Sequence, residues 1–596
     1  MHKYVSTEHL RFLLHDYLDA SRQLKSIPDY EPYDAEAFDM ILDAAEQVAD
    51  QHLYPAYTIM DREKATCENG VVWTHPVLKE GLHAMAEGGW LSTTAPAAVE
   101  GQDMPVVLNN AASLVFMAAN ANIAAYAHLT VGASNLVLHF ASDELKQRYL
   151  PPMYAGRFQG TMALTEPQAG SSLSDITATA VPREDGSYAI TGQKIYISGG
   201  DHAAVDNVVH LLLARITGAP AGTKGISLFV VPKRRPDGDA DWTDNDVLTA
   251  GIYGKMGQKG YVAAHLMFGE NEDCHGYLVG EPHKGLKYMF SMMNEARIGT
   301  GIMACGSASA AYYASLKYAN ERPQGRHPSQ KDVSLPQVTI IEHADVRRML
   351  LQQKSVVEGS MALLLEASLW QDLSERGSGD AQREAKLLLE LLTPVIKTFP
   401  SEYGTLAVQN AMQVLGGAGY CNDFPVEQYY RDIRVNAIYE GTTGIHGMDL
   451  LGRKVLMEKG AALQLLAQHI TATVEACAKT FPTEAAALGR AATKLGEITE
   501  HLGGVFRERG AEAYLADATL YLDYFGLVVI AWHWLRMGAA AQERLDAGDG
   551  AQTDDFYRGK LAAMRYFFEY ELVKTRGLAP RLLSERAVTL EAADID

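Results

Sequence analysis

Between residues 159 and 284 the hydrophobic period of the chain changes, and that switch limits the possible folds more than any other feature. Tyr188 to Ser198, Val208 to Ile216, Gly225 to Pro232 and His265 to Gly269 are short apolar or β-branched runs. Clusters of Gly, Pro and Asp bound them, among them Arg235-Pro236-Asp237-Gly238. Such a pattern predicts antiparallel strands in a small β domain or barrel. The acidic segment 237–246 reads as a surface loop.

Helical spacing flanks this block on both sides, so the chain reads as mostly α with an inserted antiparallel β domain. Leu10, Leu13, Leu14, Tyr17 and Leu18 place one amphipathic helix before Pro28 and Pro32. Ala35 to Asp50 is amphipathic, and Val106 to Phe140 is long and apolar all round, which implies a buried helix. Pro151 and Pro152 end that helical block. Beyond Gly285, Met289, Met292, Met293, Ile298, Ile302 and Met303 make a buried helix, thinned by Gly299, Gly301, Gly306 and Ala308. Further helices are expected over 343–376, 381–399 and 403–415. A last helical block follows residue 455, with breaks at Gly503-Gly504 and Gly548-Asp549-Gly550. The expected divisions are 1–32, 33–158, 159–284, 285–455 and 456–596.

A net charge of −21 argues against a nucleic-acid backbone or an anionic membrane as the main partner. Five scattered cysteines, with no Cys-x-x-Cys pair, offer neither a disulfide framework nor a zinc site. Met1 to Leu14 has no signal-peptide core, and the apolar run Tyr524 to Met537 is short for a bilayer span. A soluble, cytoplasmic protein is expected.

The chemistry centres on Arg434-Val435-Asn436-Ala437-Ile438-Tyr439-Glu440-Gly441-Thr442-Thr443-Gly444-Ile445-His446. A carboxylate delivered from an apolar run into a glycine turn has a raised pKa, which suits a general base. An exposed loop glutamate near a helix start carries the same pattern. At the start of the β block, Met162-Ala163-Leu164-Thr165-Glu166-Pro167-Gln168-Ala169-Gly170-Ser171-Ser172 supplies small hydroxyls beside free backbone donors. Lys194-Ile195-Tyr196-Ile197-Ser198-Gly199-Gly200 puts an aromatic ring and a hydroxyl on one strand face.

With Glu321-Arg322-Pro323-Gln324-Gly325-Arg326 and Gln413-Val414-Leu415-Gly416-Gly417-Ala418-Gly419-Tyr420, these segments resemble, in order, the flavin-dependent acyl-CoA dehydrogenase family. The resemblance spans roughly residues 35 to 455. It implies a helical N-domain, a middle β-barrel-like domain and a C-terminal four-helix bundle, with FAD between them and across a subunit boundary. It implies FAD contacts from Met162, Leu164, Thr165, Tyr196, Ser198, Arg322, Gln413, Gly417 and Thr442. Glu440 takes the place of the base, and Ser171, Asn294, Arg297, Tyr439 and Gly441 stand on the acyl-CoA side.

There are departures from the family pattern. Tyr196 and Ser198 stand where Trp and Thr are common, Ser172 where an acid is common, and Gly444 where an amide is seen. The aromatic that usually follows Arg322 is missing. Some branches place the base on the helix of Asn294-Glu295-Ala296-Arg297, but the matching position here is Ala296, which cannot ionise.

The extra N-terminal helix and the block after residue 455 resemble the long bacterial form, such as the 3-methylmercaptopropionyl-CoA dehydrogenase group. Very-long-chain dehydrogenases also carry a C-terminal extension. The implied activity is α,β-dehydrogenation of an acyl-CoA to the 2-enoyl-CoA in fatty acid metabolism. Electrons would pass to an electron-transferring flavoprotein, in a homodimer or dimer of dimers. An acyl-CoA oxidase would share nearly every residue. A nucleic-acid-associated relative without activity is disfavoured by the charge and by Glu440.

Overall fold

The computed structural model describes residues 2–237, 241–291 and 293–592. Strands β1 (Thr66–Glu68) and β2 (Val71–Trp73) form a hairpin. They are followed by β3 (Phe158–Ala163), β4 (Thr179–Pro182), β5 (Tyr188–Ser198), β6 (Asn207–Ile216) and β7 (Ile226–Pro232). Next come β8 (Arg234–Asp237), β9 (Asp241–Asp244), β10 (Val247–Ile252), β11 (Ala263–Phe268) and β12 (His275–Val279). The main sheet has the order β10-β11-β5-β12-β7-β6-β3, with β4 beside β5 and β6. Most pairings are antiparallel, as expected, but β3–β6 and β4–β6 are parallel. A parallel pair needs a crossover rather than a hairpin, and short apolar runs carry no record of direction.

The expected acidic loop is partly regular, because β9 pairs with β8; residues 238–240 lie outside the described residues. Strands β6 and β7 are apolar almost throughout because both faces are buried. Val209, Leu211, Leu213, Leu228 and Val230 pack with Leu136, Val137, Leu145 and Tyr149. Leu212, Phe229 and Val231 join a second core with Ile190, Ile197, Ala264 and Phe268.

The chain packs as two units, one of residues 43–104 and 115–296, the other of 1–42, 105–114 and 297–596. The β strands lie in the first. The helix Val106–Phe140 is interrupted at Asn120, whose φ of −160° and ψ of 92° are extended. Asn120 Oδ1 accepts from the N–H groups of Asn122 (3.0 Å) and Ile123 (3.3 Å), and its amide donates to Leu53 O at 2.9 Å. The asparagine acts as an internal N-cap, which an apolar profile does not reveal.

In the second unit the N-terminal helix is α over Thr7–Arg11 and π over Phe12–Tyr17. Phe12 lies against Phe556 and Tyr557, and Tyr17 Oη is 2.7 Å from His533 Nδ1. The two helices expected over 381–399 and 403–415 are one, Gly379–Leu415, running through Pro394 and Pro400. Thr393, Thr398 and Ser401 donate hydroxyls to carbonyls four residues back. Gly503-Gly504 does not break the helix Pro482–Leu515, because buried Ile498 and Leu502 hold that turn in place. The break comes at Gly510, φ +85°. Met292 of the expected buried helix lies outside the described residues.

The helices Val106–Phe140 and Ala518–Ala547 are long and apolar enough to cross a bilayer. In each, 83% of the most apolar window is buried within the protein, as in a core helix.

Candidate active site

Glu440 stands between the 3-10 turn Arg434–Ala437 and the helix Thr443–Gly452, in a linker whose backbone is left-handed twice in succession. Its φ is +53° and that of Gly441 is +88°. Glycine adopts this region freely, whereas a glutamate is strained there by about 1 kcal/mol or more. Two side chains hold the linker. The His446 ring, Nε2 donating, meets Glu440 O at 3.0 Å, and the Lys397 ammonium donates to Gly441 O at 2.8 Å.

His446 is buried, and its pKa falls to about 3 through burial and the neighbouring Arg297 and Lys397. The ring is therefore neutral, and the carbonyl acceptor fixes its proton on Nε2. A Cβ added at Gly441 would come within 3.0 Å of that nitrogen.

The half-buried Glu440 carboxylate makes no hydrogen bond or ion pair among the described residues, and its backbone N–H likewise donates to none of them. Burial lifts its carboxyl above the ordinary range, against the opposing pull of Arg297 and Lys397. The arrangement is a strained, pinned carboxylate with a raised proton affinity and an uncommitted N–H.

Arg297, expected on the substrate side, is buried and donates to Asp449 Oδ2 at 3.2 Å; its Nε has no partner among the described residues. Asp449 also accepts from Arg453 Nε at 2.8 Å. Tyr439 Oη donates to Met303 Sδ at 3.3 Å, walling one side of the linker. Thr442 caps the following helix, its Oγ1 accepting from Ile445 N at 3.4 Å.

The Thr165 turn is built separately, in the unit that holds the β strands. Its anchor is Glu166, which accepts from Thr177 N (2.6 Å), Thr177 Oγ1 (2.8 Å), Ala178 N (3.1 Å), Gln168 Nε2 (2.8 Å) and Lys194 Nζ (2.8 Å). Burial would raise the Glu166 carboxyl, but Lys194 and these donors outweigh it and keep it ionised. Ile195 N donates to Thr165 O at 3.0 Å, fixing the turn to β5.

Met162 and Leu164 pack partly buried beside it. The hydroxyls of Thr165, Ser171 and Ser198 make no hydrogen bond among the described residues. Tyr196 has φ +57°, is 59% exposed, and lies 4.3 Å ring to ring from Tyr253. Ser172 donates to Asp175 Oδ2, so an acid is supplied three residues after the position where the family commonly has one.

Arg322 is exposed at the end of the helix Met293–Glu321, with no side-chain partner among the described residues. Gln413 and Gly417 are also exposed, at the end of the helix Gly379–Leu415, and a Cβ at Gly417 would meet open space. Asn294 is half-buried. Glu295 accepts from Asn135 Nδ2 at 3.0 and 3.3 Å.

Lys397, His446 and Asp449 were not legible as site residues. A lone lysine inside the apolar run from Leu388 to Phe399 was the available signal, since a buried ammonium needs a reason.

Four family models match in chain order. They are the acyl-CoA dehydrogenase N-terminal domain (35–157), middle domain (161–270) and C-terminal domain (283–456), and an acetyl-CoA dehydrogenase C-terminal-like domain (466–593). The chain is 35% identical over 569 residues to 3-methylmercaptopropionyl-CoA dehydrogenase of Ruegeria pomeroyi, covering 94% of each. It is 33% identical over 575 residues to a butyryl-CoA dehydrogenase of Syntrophomonas wolfei, covering 94% of this chain and 93% of that one. Among solved structures, Caenorhabditis elegans ACDH-11 in complex with C11-CoA superposes with a TM-score of 0.76 at 18% identity. That match covers 98% of this chain and 95% of the other, and shows the shared fold.

Proposed function

The chain belongs to the acyl-CoA dehydrogenase family, and from that premise we propose how its own residues carry out the FAD-dependent α,β-dehydrogenation of an acyl-CoA thioester. Glu440 takes the α-proton. Burial raises the proton affinity of its carboxylate against the opposing pull of Arg297 and Lys397, and no group among the described residues hydrogen-bonds to it. The uncommitted Glu440 N–H donates to the thioester oxygen, stabilising the charge that develops there. A preorganised donor of this kind contributes about 3–4 kcal/mol. Bound FAD supplies the acceptor for the β-hydride at its N5.

The residues present fit that cofactor. Thr165 and Ser198 offer unused hydroxyls, Tyr196 an exposed ring, and Met162 and Leu164 apolar walls for the flavin. The unpaired Arg322 guanidinium suits the pyrophosphate of a partner subunit's FAD, with Gln413 and Gly417 on the adenosine side. In this reading Thr442 would contact the cofactor, and Ser171, Asn294, Arg297, Tyr439 and Gly441 would serve the acyl-CoA. Arg322 acting in trans makes the enzyme at least a homodimer.

The observation that carries the reading is the Glu440 carboxylate, unpaired among the described residues on a backbone held at the carbonyls of Glu440 and Gly441. Glu440→Gln should keep its yellow cofactor and fail to bleach with acyl-CoA under anaerobic conditions. Ordinary bleaching would transfer the role to another acid, Glu295 being next in line.

For substrate we propose 3-methylmercaptopropionyl-CoA or another short- or medium-chain acyl-CoA, supported by the two relatives aligned over nearly the whole chain. Flavin reduction rates across a thioester panel test this, and a preference for very long chains would overturn it. Electrons pass on to an electron-transferring flavoprotein. Stoichiometric peroxide under air, with no reduction of that acceptor, would instead make the protein an oxidase.

A further inference from the structure

Lys397 is a fully buried lysine whose ammonium makes one hydrogen bond among the described residues, to the carbonyl of the glycine that follows Glu440. Fixing a backbone carbonyl does not require a cation there, since any neutral donor would serve. An ammonium sealed from water is costly unless its charge is used. The charged and titratable groups around it are Glu402 on its own helix, Arg297 on the helix Met293–Glu321, Glu440 in the linker, and His446 and Asp449 on the helix Thr443–Gly452. His446 is neutral, and Asp449 is taken up by Arg297 and Arg453. Glu402 accepts from Thr443 Oγ1. Glu440 is the carboxylate left unmatched.

We propose that Lys397 is a positioning residue for the base: its hydrogen bond to Gly441 O holds the left-handed Glu440–Gly441 backbone, and its charge keeps the Glu440 carboxylate ionised at working pH. The inference rests on the reading of Glu440 as base. Burial lowers the Lys397 pKa to about 8, so the cation is present at neutral pH and withdrawn above it. Removing it leaves Arg297 as the remaining opposing charge on Glu440, and the carboxyl then ionises only at higher pH.

The test uses FAD-loaded enzyme carrying Lys397→Met, which removes donor and charge, and Lys397→Gln, which keeps a donor. Lys397→Met should retain FAD, lose about tenfold or more in flavin reduction at neutral pH, and change KM little. The acid limb of its pH profile should move up by about one pH unit. Lys397→Gln should recover part of the rate without restoring the limb.

A second readout is the pH dependence of binding a non-oxidisable acyl-CoA thioether, followed by the flavin spectrum. It should shift in Lys397→Met and not in Lys397→Met/Glu440→Gln. Where Lys397→Met does not fold, Lys397→Gln alone decides through the displaced limb. An unmoved limb and a rate within about twofold of the parent would overturn the role of Lys397 while a dead Glu440→Gln leaves the base in place. An active Glu440→Gln would instead remove the base, and this proposal with it.

Discussion

The Lys194 ammonium lies 2.8 Å from the Glu166 carboxylate, and both side chains are sealed from solvent. The pair ties β5 to the turn that carries Thr165. Removing one partner leaves the other as an uncompensated buried charge, which costs about 3–5 kcal/mol. Glu166→Ala should therefore lower the melting temperature and weaken FAD retention together, because Thr165 loses its anchor. Spectral titration with FAD alongside a thermal melt checks this. A destabilised variant with unchanged FAD affinity would detach the turn from the cofactor.

Gly301 faces the carbonyl of Ile396, one residue before Lys397. A Cβ built on Gly301 would lie 2.4 Å from that oxygen and 2.8 Å from Leu364 Cδ2. Since the oxygen is backbone, the two helices must separate to admit even a methyl group. Gly301→Ala should destabilise by about 1–3 kcal/mol and slow flavin reduction more than its size suggests, through the displaced Lys397. Denaturant titration combined with single-turnover reduction measures both effects.

Asp372 receives Tyr30 Oη at 2.8 Å and the helix-start N–H groups of Val106 at 2.7 Å and Val107 at 2.9 Å. Burial nevertheless pushes its carboxyl up to about 7. Between about pH 4 and 7 the folded chain binds a proton that the unfolded chain has released. That contribution to stability is fully present below about pH 4 and is lost as pH rises through 7. Asp372→Asn should flatten the fall in melting temperature over this window, and an unchanged slope would assign it to other groups.

Arg322 is exposed and unpaired among the described residues. If it meets a pyrophosphate, Arg322→Met should release FAD during gel filtration, and the FAD affinity of the variant should depend less steeply on salt. Equal salt dependence in both proteins would count against the contact.

The local backbone of the proposed site was legible because it is written in short stretches. Glu440 and Gly441 occupy the sharp linker that the glycine turn suggested, and Thr165 stands at a shaped turn beside β5. Other parts were misread for identifiable reasons. Pro400 lies in the gap expected between the helices 381–399 and 403–415, yet a helix packed among apolar neighbours absorbs its missing N–H group. Asn120 breaks an apolar stretch by capping it from within.

From the sequence alone came the succession of helical, strand and helical blocks, the ordered family motifs and the place of Glu440, the proposed base, in a glycine turn. Each depends on periodicity or on residues a few positions apart, which the linear chain records. Tertiary structure decided which groups surround that acid. Lys397 is 43 residues before Glu440, Arg297 lies on an earlier helix, and His446 returns to the linker only after a helical turn. Hydrophobic pattern tells a residue which way to face and not what it will meet, so the charges that set the proton affinity of Glu440 emerge only once the helices have packed.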